Sequence, residues 1–330
     1  MHSGRKPPAS EESGYRIIGR GTAGTIFEIP GSELAVKKGP NVDAIWDDFR
    51  LTNKVNKAFA DDREMLQALF PEMVIQRLQN VFGAAFEVDR IMPIPKAERE
   101  ELIDRYFEQD EEAKEKAKND QSNESCLIGV YLGENELEKQ AEEPYDNLEN
   151  FPMRLNMLEE HLQEDTSILA TEMAIALAVL HWQAQVDGQD CEFVLGSSIA
   201  GMADRRAPLQ FGPDSRPQEV VATRLFNKRE ISLWVLNFDK AVETELSIQD
   251  VHTRLVNAFF GNDPYFPRPD VDPLLWGHFI NAYLRPSQAV LRRRQVGGDT
   301  LSLPQEFIDR VVAKCKKDKL WDPEKDIIFG

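Results

Sequence analysis

Residues 15–38 read YRIIGRGTAGTIFEIPGSELAVKK. Gly19, Gly21 and Gly24 form a G-x-G-x-x-G pattern, Ile26 follows at the apolar position, and Pro30-Gly31-Ser32 makes a hairpin turn. Without Cβ atoms the glycines let the backbone turn tightly and bring N–H groups close to an anion. Beyond the turn, Leu34 and Val36 alternate with Ala35 and Lys37, so one face packs while a lysine reaches a phosphate or a carboxylate. A dinucleotide-binding turn would open a helix. Here Thr25–Ile29 reads as a strand instead, giving strand, glycine loop, strand, turn, and a strand carrying Lys37.

That order is the order of a protein-kinase-like N-lobe, with a structural hairpin and a dinucleotide site as the competing readings. The expected fold is α+β: a kinase-like two-lobe protein with a small antiparallel-sheet N-lobe and a mostly helical C-lobe. Residues 1–14 are expected as a tail, 15–92 as the N-lobe with its glycine loop, and 93–330 as the C-lobe. Residues 43–59 carry Ile45, Phe49, Thr52, Val55 and Phe59 at helical spacing, where such a fold places the glutamate that holds the lysine. No glutamate occurs between Ala44 and Asp62, so Asn53, Asn56 or Asp48 has to substitute.

Composition narrows the class. With a formal charge of −18 and a pI near 4.8, the chain is a poor partner for phosphate backbones or anionic membranes. Cys126, Cys191 and Cys315 are too scattered for zinc spacing or a disulfide framework. No leader-like or membrane-length apolar run is read, so a soluble intracellular protein, cytoplasmic or nuclear, is expected. Residues 81–95 read as a strand leaving the sheet at Asp89-Arg90-Ile91, a hinge whose backbone at Asp89 and Ile91 would meet an adenine edge. Residues 96–150, rich in Glu, Lys and Asp, read as a solvated helical insertion or mobile segment, with a lid or partner surface as the alternative. Residues 166–183 read as a helix buried on most sides, and 230–238 as a strand. Helices are expected at 241–260, 273–285 and 305–317.

The chemistry-bearing residues sit after the buried helix. Asp187 follows it in a loop and Glu192 comes five residues later, the interval that kinase-like enzymes use between the acid facing the acceptor hydroxyl and a Mg2+ ligand. Asp190 competes for the acid role. Asn237 and Asp239, in Leu236-Asn237-Phe238-Asp239, stand where Asp-Phe-Gly is expected and complete the metal candidates with Glu192; the alternative for Asp239 is a helix N-cap. His181 reads as a packed core histidine, and Arg292–Arg294 as a surface or linker patch, with a partner or localisation role as the alternative.

The segments DRIMPIP, LAVLHWQAQVDGQDCEFVLG, SLWVLNFDKA and AFFGNDPYFPRP together resemble a family of uncharacterised fungal proteins. Many of these are labelled zinc finger proteins, and they look like remote relatives of protein kinases. That resemblance, over roughly residues 80–290, implies no activity of its own; the cysteines give the zinc label no support. Two functions are expected. One is an ATP-dependent phosphotransferase for a small-molecule or unusual hydroxyl acceptor, with ATP and Mg2+ held by Gly19, Gly21, Gly24, Lys37, Glu192 and Asn237 or Asp239. The other is a pseudokinase, a nucleotide-binding or protein-interaction module without catalysis. Expected partners are a nucleotide and a small-molecule acceptor or protein, not nucleic acid or membrane.

Overall fold

The computed structural model describes residues 16–21, 24–29, 34–71, 77–78, 81–82, 87–107, 110–136, 145–161, 166–199 and 229–317. Strands β1 (Arg16–Arg20), β2 (Thr25–Glu28) and β3 (Leu34–Lys38) form an antiparallel meander, with a register shift in β1 between Ile17 and Gly19. Gly39-Pro40 ends β3, and Asn41 caps the next helix by accepting from the N–H groups of Asp43 and Ala44. Helix α1 (Val42–Leu69) is longer than periodicity alone indicated and stops just ahead of Pro71. It buries Leu51, Val55, Phe59 and Leu66 in the main core.

Strands β4 (Arg77–Leu78), β5 (Val81–Phe82) and β6 (Glu87–Asp89) follow. The first sheet runs β1-β2-β3-β6-β5, so the antiparallel N-terminal sheet is as expected. From β6 the chain passes through Arg90–Pro95, pinned where Ser197 N donates to Met92 O at 2.7 Å and Ser197 Oγ to Pro93 O at 2.7 Å.

Residues 96–150 depart from the solvated insertion that was expected. Helices α2 (Lys96–Tyr106) and α3 (Glu111–Lys118) are charged outside, yet Leu102, Ile103 and Ala117 enter the main core. Strand β7 (Ile128–Tyr131) then joins a second sheet, with Ile128 and Val130 fully buried. Residues 137–144 of this stretch lie outside the described part. Strand β8 (Phe151–Arg154) pairs parallel to β7 and leads into α4 (Leu155–His161).

Helix α5 (Thr166–Val179) continues through a π turn, Leu180–Ala184. Its Ala, Leu, Ile and Met run is buried nearly all round, as the sequence indicates. It is the one described helix long and apolar enough to cross a membrane, but 72% of that window is buried inside the fold. Strands β9 (Glu192–Ile199) and β10 (Arg229–Leu236) pair antiparallel, and the second sheet runs β4-β10-β9-β7-β8.

The rest is helical: a π turn (Val251–Leu255) into α6 (Val256–Gly261), then α7 (Pro273–Arg293) and α8 (Leu303–Lys317). Helix α7 continues past Pro286, where the sequence reading stopped it. Pro286 is buried and cannot donate to the helix ladder, while Ser287 Oγ donates to Tyr283 O at 2.5 Å. The protein is thus α+β, with an N-terminal antiparallel sheet and a largely helical C-terminal region.

Candidate functional site

A cavity of about 640 Å³ separates the first three strands from the ends of β9 and β10. Gly19, Ile26 and Ala35 line one wall; Val194, Leu236 and Ile91 line the other. Ile91 packs with Val194 and Trp234 as a small apolar cluster apart from the main core.

Lys37 enters this cavity from β3. Its Nζ donates to Asp48 Oδ2 at 2.6 Å and to Asn237 Oδ1 at 3.0 Å, and the side chains of Lys37 and Asp48 are each only 12% exposed. Of the three substitutes weighed for the absent glutamate, Asp48 holds the lysine. Asn53 instead turns to the Phe49 carbonyl on an exposed face. Asp48 Oδ1 also accepts from Phe238 N at 2.9 Å and Thr52 Oγ1 at 3.4 Å. One buried carboxylate therefore ties α1, β3 and the segment after β10 together.

Asn237 has a left-handed backbone, φ 64°, which Asn tolerates better than most residues. Its Nδ2 donates to Glu192 Oε1 at 3.2 Å, completing a chain Asp48–Lys37–Asn237–Glu192. Burial holds the Glu192 carboxyl above its ordinary range, Asp190 adds to the effect and Lys37 opposes it. Asp239 does not line the cavity; it sits in a turn rather than capping a helix, and its Oδ1 is buried without a partner among the described residues. Burial raises its pKa too, with Lys37 opposing.

The two acids of the loop after the π turn separate. Asp187 is 7% exposed and accepts at Oδ1 from Val242 N (2.8 Å) and Gln189 N (3.1 Å). It fixes the loop and does not line the cavity. Asp190 does, with a left-handed φ of 60° and an ion pair to Lys240 at 2.7 Å. Asn262, buried beneath, accepts from Asp190 N at 2.6 Å and donates to Gly188 O at 2.8 Å, holding that conformation. Lys240 and Asn262 carry no signal that sequence spacing exposes, since each meets the loop only through tertiary packing.

The glycines divide as well. Gly21 N donates to Gly24 O (2.8 Å) and Gly24 N to Gly21 O (3.3 Å), so both N–H groups are spent within the turn. A Cβ on Gly24 would lie 2.6 Å from Lys38 O, so this glycine is required by the close approach of β3. Gly19 and Gly21 have room around them and face the cavity. At the segment expected as a hinge, Asp89 ends β6 by pairing with Leu34 and does not line the cavity, whereas Ile91 does.

His181 is a core residue, as expected: its Nδ1 meets Tyr283 OH at 2.9 Å and burial lowers its pKa to about 3. The Arg292–Arg294 patch lies on the surface, as expected, but at the end of α7 rather than in a linker. Arg293 pairs with the buried Asp62 of α1, and Arg294 donates to Trp182 O (2.6 Å), Gln183 O (3.2 Å) and Gln185 Oε1 (2.6 Å).

Residues 233–295 match a family model described as "DUF3669: Zinc finger protein". The matched stretch spans Asn237, Asp239, Lys240 and Asn262 but not the glycine strands. It contains no cysteine, and its histidines are His252 and His278. His252 is engaged with Glu306 at 2.5 Å, the three cysteines are all buried and free, and among the described residues no group of three or more His, Cys, Asp or Glu could hold a metal. The described residues do not fit a zinc site. No curated protein and no solved structure matches the chain.

Proposed function

We propose that the cavity binds a nucleoside triphosphate with Mg2+ and that the protein is a phosphotransferase of kinase-like fold. The observation that carries the reading is the Lys37–Asp48 pair, held where an apolar slot meets a cluster of oxygen donors. Ile26, Ala35, Val194 and Leu236 offer flat apolar walls suited to a planar base, and the hinge backbone runs along one edge. Lys37 is the cation for the phosphates.

Glu192, with Asn237 as a neutral oxygen, would hold Mg2+, whereas Asp239, also expected as a ligand, lies outside the cavity lining; when bound, the ion neutralises charge developing on the phosphates. A nucleotide-borne Mg2+ takes one or two protein carboxylates, so the lack of a three-ligand cluster is compatible with it. Of the two loop acids Asp187 and Asp190, Asp190 is the one that lines the cavity. It is the residue we assign to orient an acceptor hydroxyl, while Asp187 positions its loop from behind. The acceptor is a small molecule or another unusual hydroxyl compound.

A second reading, a pseudokinase that binds nucleotide without turnover, is favoured by two observations. Asn237 spends its Oδ1 on Lys37, and the Gly21 and Gly24 N–H groups are closed upon each other. Calorimetric titration with ATP and Mg2+ tests both. Metal-dependent binding that Lys37→Met weakens at least about tenfold supports the site, since a charge-assisted contact to phosphate is worth roughly 1.5–3 kcal/mol. Turnover lost in Asp190→Asn selects the enzyme, and binding with no turnover over broad acceptor pools selects the pseudokinase. Absence of nucleotide binding ends both.

A further inference from the structure

The main cavity has a third, polar side that the base, the phosphates and the metal leave unused. Gln121 and Ser125 reach it from a short 3-10 turn (Gln121–Ser125), and Glu149 and Asn150 from the residues just ahead of β8. Among the described residues none of these four side chains has a hydrogen-bond or ion-pair partner. We propose that they form a subsite for the vicinal hydroxyls of a sugar, a role that rests on the nucleotide reading above and extends it.

Unpaired polar groups are ordinary on a solvated face. These four differ in being carried beside a cavity on backbone that is tied down. Asp120 caps the turn, accepting at Oδ1 from Ser122 N and from Ser122 Oγ, each at 2.8 Å. Asn123, only 5% exposed, donates from Nδ2 to Ala117 O at 2.9 Å and accepts at Oδ1 from Leu148 N at 2.7 Å, joining the turn to the residues before β8. Arg16 Nη1 donates to Glu124 Oε2 at 2.8 Å, which fastens the turn to β1. Asn150 holds a left-handed φ of 50°, a conformation that asparagine adopts more readily than most residues. A frame fixed in this way lowers the ordering cost of binding.

The chemistry of the four groups selects the ligand. Two amides and a hydroxyl both donate and accept, and a carboxylate only accepts. None carries positive charge and Glu149 repels an anion, which leaves the phosphates to Lys37. A base laid on these groups would desolvate them without replacing their hydrogen bonds, so the apolar slot suits it better. A hydroxyl gives and takes. Two on adjacent ring carbons can donate to Glu149 and accept from the amides of Gln121 and Asn150. The group so recognised is a neutral vicinal diol, borne either by the ribose of the nucleotide or by a sugar that serves as the phosphoryl acceptor.

Calorimetric titration of the full chain with ATP and with dideoxy-ATP, both with Mg2+, tests the first source. Glucose and inositol titrated into protein saturated with a non-hydrolysable ATP analogue test the second. Glu149→Ala and Gln121→Ala change exposed side chains outside the core, so folding is kept. For ribose, ATP should bind about tenfold or more tighter than dideoxy-ATP, the loss expected for a hydrogen bond to a charged group that water can re-enter. Glu149→Ala should erase that preference at unchanged dideoxy-ATP affinity, and Gln121→Ala should reduce it a few-fold. For an acceptor sugar, ATP and dideoxy-ATP should bind alike, while glucose or inositol binds the saturated protein and Glu149→Ala weakens it about tenfold. Nucleotide binding with no hydroxyl preference and no sugar binding overturns the diol subsite and leaves the nucleotide reading standing, as does a preference that both variants keep. Failure of every nucleotide to bind overturns both.

Discussion

Replacing Asp48 by Asn probes the contact on which the main cavity is built. The carboxylate accepts on both sides, from Lys37 Nζ at 2.6 Å through Oδ2 and from Phe238 N at 2.9 Å through Oδ1. An amide has one oxygen, so in either rotamer a donor is turned toward a donor. At 2.6 Å the Coulomb attraction is about 6 kcal/mol for an effective dielectric near 20, and desolvation of both ions cancels most of it. Breaking such a pair by removing one partner costs about 3–5 kcal/mol when the other charge is fully stranded. Lys37 keeps Asn237 as a partner and sits at a cavity wall, so a loss of about 2–3 kcal/mol is expected for Asp48→Asn. Urea denaturation measures it, and a double-mutant cycle with Lys37→Met should return a coupling above about 1 kcal/mol. A variant within about 0.5 kcal/mol of wild type, with no coupling to Lys37, would refute the view that this pair joins α1 to β3.

Asp62, buried on α1, has its pKa raised to about 6 by burial, with Arg293 opposing. The folded protein therefore holds a proton that the unfolded chain releases near pH 4, so this group's contribution to stability falls as pH rises from about 4 to about 6. Asp62→Asn should remove that decline, about 1.4 kcal/mol between denaturation curves at pH 5 and pH 7.5; identical pH slopes for the two proteins would count against it. A Cβ on Gly133 would lie 2.5 Å from Phe266 O and 3.0 Å from Pro264 O, both backbone. Gly133→Ala should thus cost about 2 kcal/mol, read as a lowered urea midpoint at unchanged slope. All three cysteines are buried, with the Cys126 thiol pushed up to about 12 and Cys191 well above its ordinary value by burial. Native protein should give almost no thiol titre and unfolded protein three, and added zinc should leave the melting temperature unchanged.

How far the chain could be read follows from the range of the forces involved. The glycine strands, the buried α5 and the strand ending at Leu236 announce themselves through local period and composition, and they stand where expected. Asp48 was visible only as one of three candidates, because the period that places it one turn before Thr52 also admits Asn53 and Asn56 on neighbouring faces. Residues 96–150 misled because short helices with one or two core contacts expose mostly charge; Leu102 and Ile103 do the burying on α2. Pro286 misled for the opposite reason, since a strong local breaker was overridden by packing, Pro286 being buried on α7. The Asp190–Lys240 pair depends on a left-handed residue held by Asn262, a tertiary arrangement that no local pattern encodes.

The matched stretch 233–295 brackets the cavity without containing it. At its head Asn237 is wired to Lys37 and Glu192; at its tail Arg294 grips the carbonyl oxygens that close the π turn before Asp187. A lesion at Arg294 would accordingly be felt as a loosened acid loop, although Arg294 does not line the cavity. The tail of α7 anchors the turn that leads into the acid loop, and changes there should alter the cavity's fine geometry while the two sheets stay folded.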